Sequence, residues 1–193
     1  MGDSWLSRLN TKRLAKGKNI NIFNLSRGGS KIHHVRSQIE EFHKSKGSDY
    51  NVKKICVSVG TNDIRYAKHG VRHLTRPLDD LIKTIKDLFP TAIVWIQSIP
   101  PLPIVGTDSV GCVLTMNEML FEACRTHNCY YIDMMSDFLV ADNFGRLVRN
   151  EYLFMQNYTG DTINCHFNYR GIGILARKYI KRIHSNTFNP LAY

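Results

Sequence analysis

No stretch of this 193-residue sequence approaches the roughly 20 consecutive apolar residues that a membrane-spanning helix requires. No secretory leader precedes Ser4, so the expectation is a soluble chain without a transmembrane segment. Cysteine is sparse and poorly spaced. Cys56, Cys112, Cys124, Cys129 and Cys165 are odd in number and include no Cys-x-x-Cys pair, which argues against a disulfide framework and against a zinc finger. Cys56 in an apolar strand and Cys124 on an apolar helix face read as small buried hydrophobes. Such thiols suit a reducing, intracellular setting, cytoplasmic or nuclear. His69 and His73 stand four apart but have no acidic or thiol partner at matching spacing, so no metal site is expected. Internal repeats, low-complexity tracts and interdomain linkers are also missing.

Acid is the second shortage. Sixteen Asp and Glu face 26 Lys and Arg, a net charge of +10 with a pI near 9.5. Arg8, Lys12, Arg13, Lys16 and Lys18 crowd one end of the sequence; Arg170, Arg177, Lys178, Lys181 and Arg182 crowd the other. Charge of this kind attracts nucleic acid or anionic lipid headgroups. No aromatic interleaving or RNA-module signature accompanies it, and two solvated helix faces are the plainer reading.

What is present is an ordinary globular composition, 43% hydrophobic and 22% charged, with chain enough for a real core. Residues 1–184 read as one domain and 185–193 as a loose tail. From Ser4 the pattern is helical to about residue 16, with Leu6, Leu9 and Leu14 inward and Gly17 as the stop. Residues 20–25 read as a short strand, 31–46 as a helix through Ile32, Val35, Ile39 and Phe42, and 55–59 as a buried strand. Pro77 fits the first position of a helix whose stripe is Leu78, Leu81, Ile82, Ile85 and Leu88. Residues 92–96, 114–126 and 129–134 then read as strand, helix and strand. Residues 136–165 read mostly as loop with one short helix, and 171–184 as the last helix. This alternation predicts an α/β fold, a three-layer sandwich with a central parallel sheet and helices on both faces. Ligands in such sheets sit at the carboxyl ends of the strands, where the Gly29 turn, Asn62 and the loop after Ile99 fall.

Met1-Gly2-Asp3-Ser4-Trp5-Leu6 sets a serine just ahead of an apolar, basic helix. A hydroxyl there lies near the helix amides and their positive dipole end, which stabilise a developing alkoxide; the plain alternative is an N-cap. Asn24-Leu25-Ser26-Arg27-Gly28-Gly29-Ser30, Val59-Gly60-Thr61-Asn62-Asp63 and Cys165-His166-Phe167-Asn168 follow. Ser, Gly, Asn and His in that order, most of them at strand ends, resemble the four blocks of the SGNH (GDSL-type) hydrolases, from Gly2 to about Ile183. The resemblance implies that family's flavodoxin-like arrangement and a serine esterase, free of metal and cofactor, acting on a small acyl or acetyl ester. It implies Ser4 as nucleophile, the Ser4 and Gly29 N–H groups with the Asn62 amide as oxyanion donors, and His166 as base. Read without it, Gly29 is a turn glycine, Asn62 closes a strand as an Asx turn with Asp63 capping the next segment, and His166 is a loop histidine.

Two features depart from that family. A hydrophobic strand normally runs into Gly-Asp-Ser at the centre of the sheet; here only Met1 precedes the motif, so the first strand is expected to be missing and two sheet edges left unpaired. The orienting acid normally stands three residues before the histidine, a place held by Ile163, with Asp161 two residues earlier. Asp161 could serve across a bulge, Asn164 could take the role, or a backbone carbonyl could hold the ring and leave a Ser-His dyad. Otherwise Asp161 is a solvated loop carboxylate. Cys165 beside His166 is a weaker nucleophile candidate, because sequence neighbours rarely face each other. Similar esterase-like domains occur in proteins encoded by some non-LTR retrotransposons. The rival expectation is thus an SGNH-like module without hydrolytic activity that binds nucleic acid or an anionic surface through its basic helices.

Overall fold

The computed structural model describes residues 1–64, 70–102, 108–155 and 166–185. Helices α1 (Ser4–Ser7), α2 (Thr11–Leu14) and α3 (Ile32–Ser45) precede strand β1 (Lys54–Ser58). After it come α4 (Thr61–Ile64), α5 (Thr75–Leu88), β2 (Ile93–Gln97), α6 (Asp108–Thr126) and β3 (Tyr130–Ile132). A small hairpin, β4 (Leu139–Ala141) and β5 (Leu147–Arg149), leads to the last helix, α7 (Tyr169–His184).

β1, β2 and β3 lie side by side in that order, all parallel, with Lys54 opposite Ile93, Ser58 opposite Gln97 and Gln97 opposite Ile132. Parallel neighbours need long crossovers, and α5 and α6 supply them. The strands form because apolar and β-branched residues suit a sheet covered on both sides. Ile55, Val57, Val94 and Ile96 are all buried. Lys54, Ser58 and Gln97 point the other way, toward α7. Lys54 Nζ donates to the carbonyls of Arg182, Ile183 and Ser185, and Tyr179 donates its hydroxyl proton to Gln97 Oε1 at 2.8 Å. Pleat alternation leaves α3, α5 and α6, which pack on one another, to cover the opposite face. The result is a parallel sheet flanked by helices.

Several local expectations need correcting. The helix expected from Ser4 to about residue 16 is two short ones, because the Asn10 side chain accepts from the Arg13 N–H and starts a second helix in mid-stretch. Residues 20–25 carry no strand; a strand exists only where a neighbour completes its ladder, and a cavity separates this segment from β1. Pro77 is the third residue of α5, still within the first turn, where a missing N–H costs nothing. α6 begins at Asp108, several residues before the expected start. The stretch after Ser136 holds the β4–β5 hairpin, closed by a turn in which Asp142 Oδ1 accepts from the Phe144 and Arg146 amides.

Among the described residues, no helix is long and apolar enough to cross a membrane. The basic residues of the two chain ends come together, since α2 packs on α7 and His184 Nε2 meets the Leu14 carbonyl at 2.8 Å. Arg8, Lys12, Arg13, Lys16, Lys18, Arg170, Arg177 and Lys181 are exposed. Lys178 is instead engaged with Asp137 and the Asp133 carbonyl.

Candidate active site

Ser4 is the first residue of α1, and Asp3 caps that helix by accepting from the Trp5 N–H at 3.1 Å. Trp5 is almost fully buried and stacks on Phe167, ring centroids 5.4 Å apart; Phe167 stacks in turn on Phe138 at 4.4 Å. The residue after Ser4 and the residue after His166 are therefore pressed together in the core. Their neighbours meet as a consequence: His166 Nε2 lies 3.1 Å from Ser4 Oγ. A hydroxyl within hydrogen-bond reach of an imidazole is the arrangement that lets the imidazole take the proton as the oxygen attacks.

The glycine turn stands beside them. Arg27 donates its N–H to the Gly2 carbonyl at 3.0 Å, and a methyl group built on Gly28 would stand 4.0 Å from Ser4 Cβ. Gly29 has φ of +75°, a conformation that costs glycine little. The turn is pinned from below, where Gln38 Nε2 donates to Ser30 Oγ at 2.9 Å. It is also pinned from the side, where Asn62 Nδ2 donates to the Ser30 carbonyl at 3.0 Å. An amide nitrogen carries two protons, so this bond fixes the Asn62 side chain and leaves one N–H to give. Asp63, expected to cap the segment after it, reaches back to the Ile32 N–H at the start of α3 instead. Burial raises its pKa, partly offset by that hydrogen bond and by Lys31 and His33.

Beneath Ser4 runs a buried polar chain that the sequence did not reveal. Tyr179 donates to Gln97, Gln97 Nε2 to Ser58 Oγ at 3.3 Å, and Ser58 Oγ to Asp3 Oδ1 at 3.4 Å. Asp3 is 1% exposed, and burial pushes its pKa up to about 6 against the lowering effect of the Trp5, Thr61 and Ser58 contacts. Asp3 Oδ2 and Thr61 Oγ1 have no hydrogen-bond partner of good geometry among the described residues. The one available signal was polar residues ending apolar strands, Ser58 after Val57 and Gln97 after Ile96. Arg8 was likewise missed as a site neighbour; its guanidinium spans to Met155 Sδ at 2.8 Å and the Phe167 carbonyl at 3.4 Å.

Ser4, the Gly28–Gly29 turn, Asn62 and His166 thus gather beyond the carboxyl end of β1. Asp161, together with Ile163, Asn164 and Cys165, lies outside the described residues, as does His69. His73 is exposed. Among the described residues no three His, Cys, Asp or Glu side chains are grouped to hold a metal ion. A cavity of about 520 Å³ includes none of Ser4, Gly29, Asn62 and His166 in its lining; proximity of reactive groups marks this site.

Residues 1–172 match the GDSL-like lipase/acylhydrolase family. The chain belongs to this family. Its GDSL-like fold is shared with solved structures of low sequence identity. A member of the lipolytic G-D-S-L family from Veillonella parvula is 20% identical, with a TM-score of 0.70 over 96% of each chain. An acetylxylan esterase from Geobacillus stearothermophilus, solved as a catalytic mutant, is 14% identical with a TM-score of 0.67, covering 100% of this chain and 94% of the other. The OSK domain of Drosophila Oskar is 16% identical with a TM-score of 0.62, covering 100% and 87%. A search among curated proteins finds no match.

Proposed function

We propose that this GDSL-like acylhydrolase is a serine esterase that cleaves a small acyl or acetyl ester, with Ser4 as nucleophile. The observation that carries the reading is the 3.1 Å approach of His166 Nε2 to Ser4 Oγ across 162 residues of sequence. His166 takes the Ser4 proton as Oγ attacks the ester carbonyl. The tetrahedral oxyanion is held by the Ser4 N–H, the Gly29 N–H and the second N–H of Asn62. His166 then gives its proton to the leaving alcohol, and water, activated by the same imidazole, releases the acid from the acyl-enzyme. Asp161 orients the imidazole and stabilises its protonated form.

Hydrolysis of p-nitrophenyl acetate by the purified chain tests this. Activity is expected from the wild type and none above background from Ser4→Ala, with the two unfolding at the same temperature. Activity surviving in Ser4→Ala would transfer the chemistry to another residue, Cys165 being the first to examine.

A second reading is favoured by the meeting of α2 and α7, which merges two basic clusters into one surface suited to an anionic polymer. In that reading the chain binds nucleic acid without hydrolysing esters. RNA retention that falls steeply with salt, by a protein inert toward aryl esters, is its signature.

A further inference from the structure

Arg8 stands one helical turn after Ser4. It is the C-cap of α1 and keeps a right-handed helical backbone, φ −88° and ψ −3°, so the two side chains share one face of the turn. Helical side chains lean toward the N-terminus, which tips Arg8 back toward Ser4. It is held there, with Nη1 2.8 Å from Met155 Sδ and 3.4 Å from the Phe167 carbonyl. Phe167 follows His166 in the chain, and Met155 gives its N–H to the His166 carbonyl at 2.9 Å. The guanidinium is therefore fastened to both segments that seat the histidine.

Its charge is not balanced from within. Arg8 is exposed, and among the described residues no Asp or Glu lies within ion-pair distance of it. The acids of the site have other duties. Asp3 is buried and bonded to the Trp5 N–H and Ser58, Asp63 reaches the Ile32 N–H, and Glu151 pairs with Arg149 at 3.5 Å. Arg170, exposed on the first turn of α7, adds a second cation near the histidine. A guanidinium has five N–H donors in a planar fork, and the protein contacts of Arg8 engage Nη1 alone. The Nε and Nη2 donors are left for a bidentate partner, the geometry that carboxylate and phosphate oxygens match.

His166, acting as described above, gives its proton to the leaving oxygen. The alcohol portion of the ester thus departs on the histidine's side, where Arg8 is fastened, while the Gly29 and Asn62 amides take the oxyanion. We propose, resting on the esterase reading above, that Arg8 sets substrate specificity by binding a carboxylate or phosphate on the alcohol portion of the ester. The substrate class is an O-acyl derivative of an anionic alcohol. The anion is bound equally before and during the reaction, so the contact acts on KM rather than on kcat. Arginine suits the task because its fork fixes orientation, whereas a lysine would offer a point charge.

The test compares 4-acetoxybenzoate with methyl 4-acetoxybenzoate, which differ by one charge and little in size. Two further esters are included: 4-acetoxyphenyl phosphate carries phosphate on the alcohol side, and the phenyl monoester of succinic acid carries its charge on the acyl side. Wild type is expected to favour 4-acetoxybenzoate over its methyl ester by about tenfold or more in kcat/KM, through KM. Arg8→Gln should lose that preference and Arg8→Lys keep part of it. A larger loss for the phosphate than for the benzoate assigns the group as phosphate, the reverse as carboxylate, and either upholds the anion site. Equal rates on the two acetoxybenzoates, a preference that survives Arg8→Gln, or a succinate monoester that depends on Arg8 as strongly as the benzoate would overturn the proposal. Should neither acetoxybenzoate be hydrolysed, the esterase reading fails separately, and NMR titration of Ser4→Ala with the product 4-hydroxybenzoate decides the anion site. Affinity there should fall about tenfold when Arg8→Gln is added, and binding that does not depend on Arg8, or none at all, refutes it.

Discussion

Trp5 and Phe167 stack with ring planes 25° apart, and each is the chain neighbour of one member of the Ser4–His166 pair. The approach of the two polar groups is thus set by an aromatic contact rather than by their own hydrogen bond. Phe167→Ala is expected to cost about 3–5 kcal/mol of stability, as for other large buried aromatics. It should also lower kcat at temperatures where the variant is still folded, while Phe167→Leu retains most of both. Urea unfolding and aryl-ester turnover measure the two effects; a stable Phe167→Ala with full activity would remove the aromatic contact from the account.

Asn62 is fixed by its bond to the Ser30 carbonyl, which holds the amide in one orientation. Asn62→Ala should lower kcat about 100- to 1000-fold with little change in KM, the behaviour of a group that binds the oxyanion only in the transition state. Its structural bond is worth only about 1 kcal/mol, so thermal unfolding should move little. A larger loss of stability than of turnover would mark Asn62 as a loop fastener alone.

Asp161 separates a triad from a dyad. If it orients His166, Asp161→Asn should reduce kcat by about four orders of magnitude, as wrong-tautomer substitutions do. If a backbone carbonyl holds the ring, turnover should change only a few-fold. Steady-state kinetics of the one variant decides between them.

Asp3 ties stability to pH. Its carboxyl has an ordinary pKa of 3.8 when unfolded and about 6 in the fold, raised by burial. Between those values the folded chain binds the extra proton, so stability is greatest at low pH and falls as pH rises from about 4 to about 6. The full change from this group is up to roughly 3 kcal/mol. Asn also serves as a helix cap, so Asp3→Asn should fold, unfold at higher urea than wild type at pH 7, and lose this part of the pH dependence. Parallel pH profiles for the two proteins would refute it.

The parallel sheet could be read from sequence because runs such as Ile55–Val57 and Val94–Ile96 are apolar without alternation, and because the helices between them carry clear stripes. The order of Ser4, Gly29, Asn62 and His166 was equally legible. Residues 20–25 were not, since their apolar pattern is local whereas the ladder that makes a strand depends on a distant neighbour. The hairpin escaped because its strands are short and half exposed; Leu147 is 70% exposed and gives no burial signal. The split at Asn10 turned on one side chain competing for a backbone amide. The polar chain from Tyr179 to Asp3 and the stacking of Trp5 on Phe167 join residues far apart in sequence, which no window along the chain can see.

A methyl group on Gly171 would collide with the Leu153 carbonyl, so the first turn of α7 is seated directly on the segment before Met155. Main-chain bonds reinforce that seat, from Met155 N–H to the His166 carbonyl at 2.9 Å and from Asn168 N–H to the Leu153 carbonyl at 3.1 Å. Met155 and His166 are thereby two fixed posts, their main chain anchored on the seat of α7. The backbone that carries His166 is thus anchored on α7, and any change that lifts α7 off the Leu153–Met155 segment would carry the imidazole away with it.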